Sequence, residues 1–334
     1  MVETLPALPV DLVRLGVRAA EFARTSRSPA TERAYRSDWA DFTGWCELAG
    51  LIALPAEPTT VGAYLSDRAD SLKVATLNRR IAAITAAHRM AGQGLDSGHP
   101  AIARVLGGIR RVYGTKQTAK TAILTEDLRR MVRALPATLA GVRDKAVLLV
   151  GFAGAFRRSE LVAIDLGDLS LTNVGVVITV RRSKTDQEGA GREVGIPRSR
   201  RSATCPVAAL EAWLQGTDRV EPTWTTVEDH PETLRRMAAQ PVFRAIDHGE
   251  LTTNRLSGQA VAEIVKKAAL RIGLDPARFA GHSLRSGFAT SAARGGADLA
   301  FIMQQTGHKN ADAARRYVQA GKLLDNPASK AVKL

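Results

Sequence analysis

HSLRSGFATSAARGGADLAFIMQQTGHKNADAARRYV, residues 282–318, places His282, Arg285, His308 and Tyr317 in one stretch of helical pattern. Apolar residues recur at helical spacing through Leu284 to Arg294, Leu299 to Gln305 and Ala311 to Val318, so three short helices are expected. His282 and Arg285 stand three apart at the start of the first, which puts both on one face. Each side chain alone is a weak signal, and the segments upstream give it meaning.

Working back, Ser257 caps a helix running to about Ile272, and Pro206 opens another over Val207 to Leu214. Before these the period changes. Val174 to Val180 and Arg192 to Ile196 are rich in β-branched residues and flank the polar run Lys184 to Gly191, a long-looped hairpin. Ahead of the hairpin lies Gly154-Ala-Phe-Arg157-Arg-Ser-Glu160-Leu, and before that helical patterns cover Leu128 to Leu135 and Asp144 to Gly154. Thr125 reads as the N-cap of the first of them, with Glu126 and Asp127 in its opening turn.

The first third is wholly helical in pattern: Asp11 to Arg24, Pro29 to Leu48, Thr59 to Asp70, Val74 to Met90 and Ala101 to Val112. Ser28-Pro29 is a cap followed by a first-turn proline. Tyr113 to Leu124 carries charge and small residues without apolar period and suits a linker. The expected organisation is a helical module over residues 1–114, a linker over 115–124 and a second domain over 125–334. The fold class is mainly α with a small antiparallel β-sheet, an α+β chain.

Composition narrows the partner. A formal charge of +14, from 47 Lys and Arg against 33 Asp and Glu, suits a polyanion, nucleic acid before membrane. No apolar run is long enough to span a bilayer, and Glu3, Asp11 and Glu21 break any secretory leader, so a cytoplasmic protein is expected. Cys46 and Cys205 lie in amphipathic patterns away from other ligand residues and read as core thiols. There is no GxxxxGK[ST] loop, no HExxH and no acidic cluster spaced for two metals, so neither a metal nor a cofactor is expected. His99, His230 and His248 fall in loops or turns and are assigned no chemistry. His88, in a basic helix, is expected near DNA.

Taken together, an Arg ahead of Ser-Glu-Leu, a hairpin Lys, HxLR, and a Gly-His with Tyr nine residues on resemble the tyrosine recombinase, or phage integrase, family. The resemblance implies catalytic roles for Arg157, Lys184, His282, Arg285, His308 and Tyr317, and a supporting role for Glu160. It implies that Tyr317 attacks a DNA phosphate to form a 3′-phosphotyrosyl bond. His282 would exchange protons with the tyrosine, His308 would donate to a non-bridging oxygen and Lys184 would protonate the leaving 5′-hydroxyl. The chemistry is physically apt, because forked guanidiniums hold phosphate oxygens in ways that lysine does not. A phenol with a reference pKa near 10 also needs a base or a strong positive potential to ionise.

Leu5 to Asp11, Trp45-Cys46, Pro55 to Pro58 and the helix around Val74 to Arg89 resemble the core-binding domain of Cre-like members of the family, although His308 stands where those carry Trp. That likeness implies that the second and fourth helices face the major groove, through Thr31, Arg33, Thr76, Asn78, Arg79 and Arg80. It also implies that the apolar tail Leu323, Leu324, Ala328, Val332 and Leu334 docks into a neighbouring protomer. The assembly so implied is a homo-tetramer on two DNA duplexes, a dimer per site. The expected function is site-specific recombination of a mobile element; a type IB topoisomerase, or a catalytically silent DNA-binding architectural protein, are the alternatives.

Overall fold

The computed structural model describes residues 10–25, 27–115, 120–181, 191–217 and 237–322. The chain divides into two compact units, Met1–Thr118 and Ala119–Leu334. Among the described residues no helix is long and apolar enough to cross a membrane.

The first unit is built from helices α1 (Val10–Thr25), α2 (Pro29–Leu48), α3 (Pro58–Arg68), α4 (Val74–Met90) and α5 (Pro100–Tyr113). The start of α2 is set as expected, with Ser28 Oγ accepting from the Thr31 backbone N–H at 3.2 Å and proline in the first turn. Phe42, Tyr64, Leu65, Leu77, Ile84 and Ile102 form the centre of its core. Burying each such side chain is worth about 1.5–3 kcal/mol. Gly62 lets α3 approach α5, because a Cβ there would stand 2.4 Å from the Ala101 carbonyl oxygen.

His88 corrects an expectation. It is fully buried, its Nε2 accepting from the Ala56 N–H at 2.8 Å and its Nδ1 meeting the Ile84 carbonyl at 2.8 Å. Basic neighbours on the sequence are a poor guide here, since the ring faces inward and ties the α2–α3 connection to α4. His88→Leu is expected to strand the Ala56 N–H and lower stability by about 1–3 kcal/mol, with DNA binding by the folded fraction unchanged. Chemical denaturation and a binding titration check the two halves of that statement.

The second unit opens with α6 (Thr125–Arg133), α7 (Leu139–Ala153) and the short α8 (Arg158–Ala163). Leu124, not Thr125, holds the N-cap position of α6, and Thr125 is already helical. Helix α7 is apolar on every side from Ala146 to Val150 and runs through the middle of the core, as a helix without a polar face must.

Strands β1 (Leu169–Leu171), β2 (Gly175–Val180) and β3 (Arg192–Pro197) form an antiparallel sheet in that order. Val176, Ile178 and Val180 alternate toward the core with Val194 and Ile196, the period-two pattern of a half-buried sheet. Helix α9 (Pro206–Gln215) then brings Trp213 into the core, its indole N–H donating to the Val242 carbonyl at 2.8 Å. A second hairpin, β4 (Arg244–Asp247) and β5 (Glu250–Arg255), has no counterpart in the sequence reading; its strands are polar and only partly buried. Helices α10 (Gly258–Arg271), α11 (His282–Arg294), α12 (Leu299–Thr306) and α13 (Ala311–Lys322) complete the described unit.

Residues 120–124, read as exposed linker, belong instead to this second unit. Thr121 N–H donates to the Arg278 carbonyl at 2.8 Å and Ile123 N–H to the Ser283 carbonyl at 3.0 Å, with Ile123 fully buried. A Cβ on Gly287 of α11 would lie 1.9 Å from the Ile123 carbonyl oxygen, so only glycine admits this crossing. The small, weakly periodic sequence reflects a strap on the core rather than a solvated tether.

Candidate active site

Four elements converge on one pocket. Arg157 sits at the N-cap of α8, where its own backbone N–H donates to Glu160 Oε2 at 3.0 Å and its Nη1 donates to Glu160 Oε1 at 2.5 Å. Glu160 is almost wholly buried and also accepts from Arg192 Nη2 at 3.3 Å. One carboxylate thus orients two guanidiniums.

Arg285, on α11, is completely buried. Its Nη1 donates to the Ala155 carbonyl at 2.9 Å and its Nη2 lies 3.2 Å from His308 Nε2. Ala155 reaches that position at φ 49°, in the left-handed region that costs a side chain roughly 1–2 kcal/mol. Its backbone is turned so that the carbonyl meets Arg285.

His282 opens α11, and its Nε2 stands 3.1 Å from Tyr317 Oη on α13. Tyr317 packs on Ala289, Ala293 and Ile302, a small apolar cluster that fixes the ring. His308 follows the α12 cap residue Gly307, whose φ of 64° closes the helix and whose missing side chain leaves room for Arg192. The His308 and Tyr317 rings lie 5.8 Å apart. The structure therefore brings Arg157, Glu160, His282, Arg285, His308 and Tyr317 together; Lys184 lies outside the described residues.

The electrostatics follow from burial among cations. Desolvation first, then Arg285 and Arg157, lower the pKa of His282. The same causes in the same order bring His308 down to about 4. Arg285 falls to about 10, chiefly through burial, and stays charged at neutral pH. Both rings are thus neutral at pH 7, and a neutral His282 has a lone pair for the phenolic proton.

The unfolded chain binds protons on these histidines near their reference value of about 6.5, whereas folded His308 resists until about 4. Their contribution is complete above the unfolded value and shrinks as pH falls toward the folded one. The thermal midpoint should therefore drop between about pH 6.5 and about pH 4, and His308→Asn should flatten that decline.

Arg192 was missed as a site residue. In the sequence it is one of several arginines near Lys184, and nothing in the pattern says that its Nη1 reaches the Gln305 carbonyl at 3.0 Å while Nη2 reaches Glu160. Its position at the first residue of β3, across from a helix end, is a tertiary fact.

On the first unit, Arg33, Asn78 and Arg79 are exposed, while Thr31 and Thr76 are half-buried. Arg79 is held by Asp38 through Nε at 2.7 Å and Nη2 at 3.0 Å, and Asn78 Oδ1 accepts from Arg110 at 2.8 Å. Arg80 corrects its assignment: its side chain is only 12% exposed and engages Asp41 and Tyr64, with Asp38 at 3.6 Å. It braces α4 to α2 and α3 rather than facing outward.

The fold of the second unit, helices around a three-stranded antiparallel sheet, is that of tyrosine recombinase catalytic domains. The chain matches a crystal structure of XerH site-specific recombinase bound to palindromic difH substrate, at a TM-score of 0.58 and 16% identity, over 83% of this chain and 73% of that one. A lambda integrase dimer bound to a COC′ core site matches at a TM-score of 0.53 and 18% identity, over 91% and 93%. In sequence, an integrase/recombinase xerD homolog of Selenomonas ruminantium is 40% identical over 94% of this chain and 89% of that protein. Recombinase cre of Escherichia phage P1 is 26% identical over 99% and 96%. Residues 122–322 match the phage integrase family. The chain belongs to that family and is a site-specific DNA recombinase of the tyrosine class.

Proposed function

We propose that Tyr317 is the nucleophile of this recombinase and that Arg157, Lys184, His282, Arg285 and His308 complete the catalytic set, with Glu160 as their support. The observation that carries the reading is the 3.1 Å contact between His282 Nε2 and Tyr317 Oη, base and nucleophile within hydrogen-bond reach. Arg157 and Arg285 bind the non-bridging oxygens of a DNA phosphodiester. Tyr317 Oη bonds to phosphorus as the bond to the 5′-oxygen breaks. The phenolic proton passes to His282, and Lys184 gives a proton to the departing 5′-oxygen. The resulting 3′-phosphotyrosyl ester keeps the energy of the original bond, so a second 5′-hydroxyl reverses the step without a cofactor. Fixed cations answer the negative charge that grows in the transition state.

The substrate is double-stranded DNA, met on the first unit by the face carrying Thr31, Arg33, Thr76, Asn78 and Arg79. Exposed arginine and asparagine suit base edges, and Asp38 limits the orientations open to Arg79. A homo-tetramer on two duplexes, a dimer per site, is the proposed assembly. The tail expected to link its protomers, from Leu323 onward, lies outside the described residues. A cytoplasmic, DNA-associated location in a mobile element's host goes with this substrate.

The decisive test is a nicked duplex, chosen by selection from random DNA, on which a cleaved strand cannot be religated. Wild-type protein should form a covalent adduct in EDTA as fast as without it. No adduct on a tightly bound site would leave a DNA-binding architectural protein. Relaxation of site-free plasmids by a monomer that never joins two sites would make it a topoisomerase.

A further inference from the structure

Thr306, the last residue of α12, is fully buried and carries no chemistry in the mechanism above. Its hydroxyl lies 2.7 Å from the Ile302 carbonyl, 3.4 Å from the Met303 carbonyl and 2.7 Å from His308 Nδ1. A threonine hydroxyl has one hydrogen to give, and a helix carbonyl can only accept. The hydrogen goes to Ile302, so the oxygen presents a lone pair to His308. Nδ1 must then carry a proton.

The other side of the ring makes the same demand. Arg285 Nη2, 3.2 Å from His308 Nε2, belongs to a group that donates and never accepts. Nε2 must therefore offer its lone pair. A doubly protonated ring would set N–H against N–H at this contact. The surroundings agree in sign: burial first, then Arg285 of α11, Arg157 ahead of α8, His282 of α11 and Arg316 of α13, lower the affinity of His308 for a second proton. Arg192 of β3 lies against the adjoining Gly307, Tyr317 faces the ring from α13, and Glu160 reaches the site through Arg157 and Arg192.

In this form His308 cannot donate through Nε2 to an anionic oxygen. A phosphodiester placed between Arg285 and His308 brings negative charge to Nε2 and takes over the donors of Arg285, which removes both reasons for the lone pair. We propose that Thr306 is a positioning residue that holds His308 of the free protein in its Nδ1–H form, so that Nε2 becomes a donor to the scissile phosphate only by taking one proton from solvent as DNA enters. The proton returns to solvent on release, and Thr306 accepts from Nδ1 throughout. The proposal rests on the pocket being the phosphodiester site, but its first test does not.

That test is ¹⁵N NMR of the free full-length protein with labelled histidine, His308 being assigned by its loss in His308→Asn. At neutral pH, Nδ1 should have the shift of a protonated nitrogen and Nε2 that of an unprotonated one; the opposite pattern overturns the proposal. The second test follows adduct formation on the nicked duplex against pH for wild type, Thr306→Ser and Thr306→Val. Serine keeps the hydroxyl and should keep the profile. Valine removes the acceptor that stabilises the protonated ring, so cleavage measured at saturating DNA should fall by about 10-fold and its alkaline limb should move to lower pH. A valine variant that follows wild type at every pH, or a serine variant that loses as much as valine, refutes the role. If wild type forms no adduct at all, the recombinase assignment of the pocket fails, and the NMR result still decides the tautomer.

Discussion

Tyr317→Phe is expected to bind the selected DNA site with wild-type affinity and to form no covalent adduct with it, a loss on the order of 10⁴-fold or more in cleavage. The substitution removes one oxygen and nothing else. Ring packing on Ala289, Ala293 and Ile302 is untouched, so α13 should stay in place. The lost contact is the one to His282 Nε2 at 3.1 Å, and its loss leaves that ring at a partly open site where water replaces it. Gel mobility under native conditions measures binding; denaturing gels of the nicked substrate measure the adduct. An adduct in the phenylalanine variant would move the nucleophile elsewhere. Tyr64, the tyrosine most deeply buried in the first unit, is no substitute, because its hydroxyl is engaged by Asp41 at 2.8 Å within the core.

Arg285→Lys should keep the positive charge and still lower cleavage by about 10²- to 10³-fold, with a smaller effect on site affinity. Arg285 spans two partners at once, the Ala155 carbonyl from Nη1 and His308 from Nη2, across a fully buried channel. A lysine ammonium is a single point and reaches one of them, so the fork that holds phosphate oxygens is lost. Because the loss is felt most as charge develops in the transition state, the rate should suffer more than binding. The stranded Ala155 carbonyl adds a stability cost of about 1–3 kcal/mol, so cleavage is to be measured well below the variant's unfolding temperature. Equal losses of affinity and rate would mean that Arg285 holds ground-state DNA rather than the transition state.

The proposed catalytic set was legible because chemistry restricts residue type and chain order together. Arg157, His282, Arg285, His308 and Tyr317 are scattered over 161 positions, yet each lies in a short segment with recognisable neighbours. Helices were legible where one face meets a core: α2 and α4 run from Pro29 to Leu48 and from Val74 to Met90, the bounds their patterns imply. Hairpin β4–β5 was not, since short polar strands carry little alternation. Residues 120–124 were misread because a strap that packs through one buried Ile123 lacks any period.

By itself the sequence determined the class of fold, the position of the sheet within a helical chain and the residues that the fold gathers into one pocket. These depend on local period and on residue type, both of which survive in a linear string. Only the tertiary structure decided which arginines are held by a carboxylate and which carboxylate holds them. Arg80 and Arg192 resemble any other basic residue until Asp41 and Glu160 are placed beside them. The direction of the His282 and His308 titrations, and the proton that Thr306 assigns to Nδ1, are likewise properties of assembled neighbours. Coulombic and hydrogen-bonding energies depend on distances between groups remote in the chain, and those distances exist only once the elements have packed.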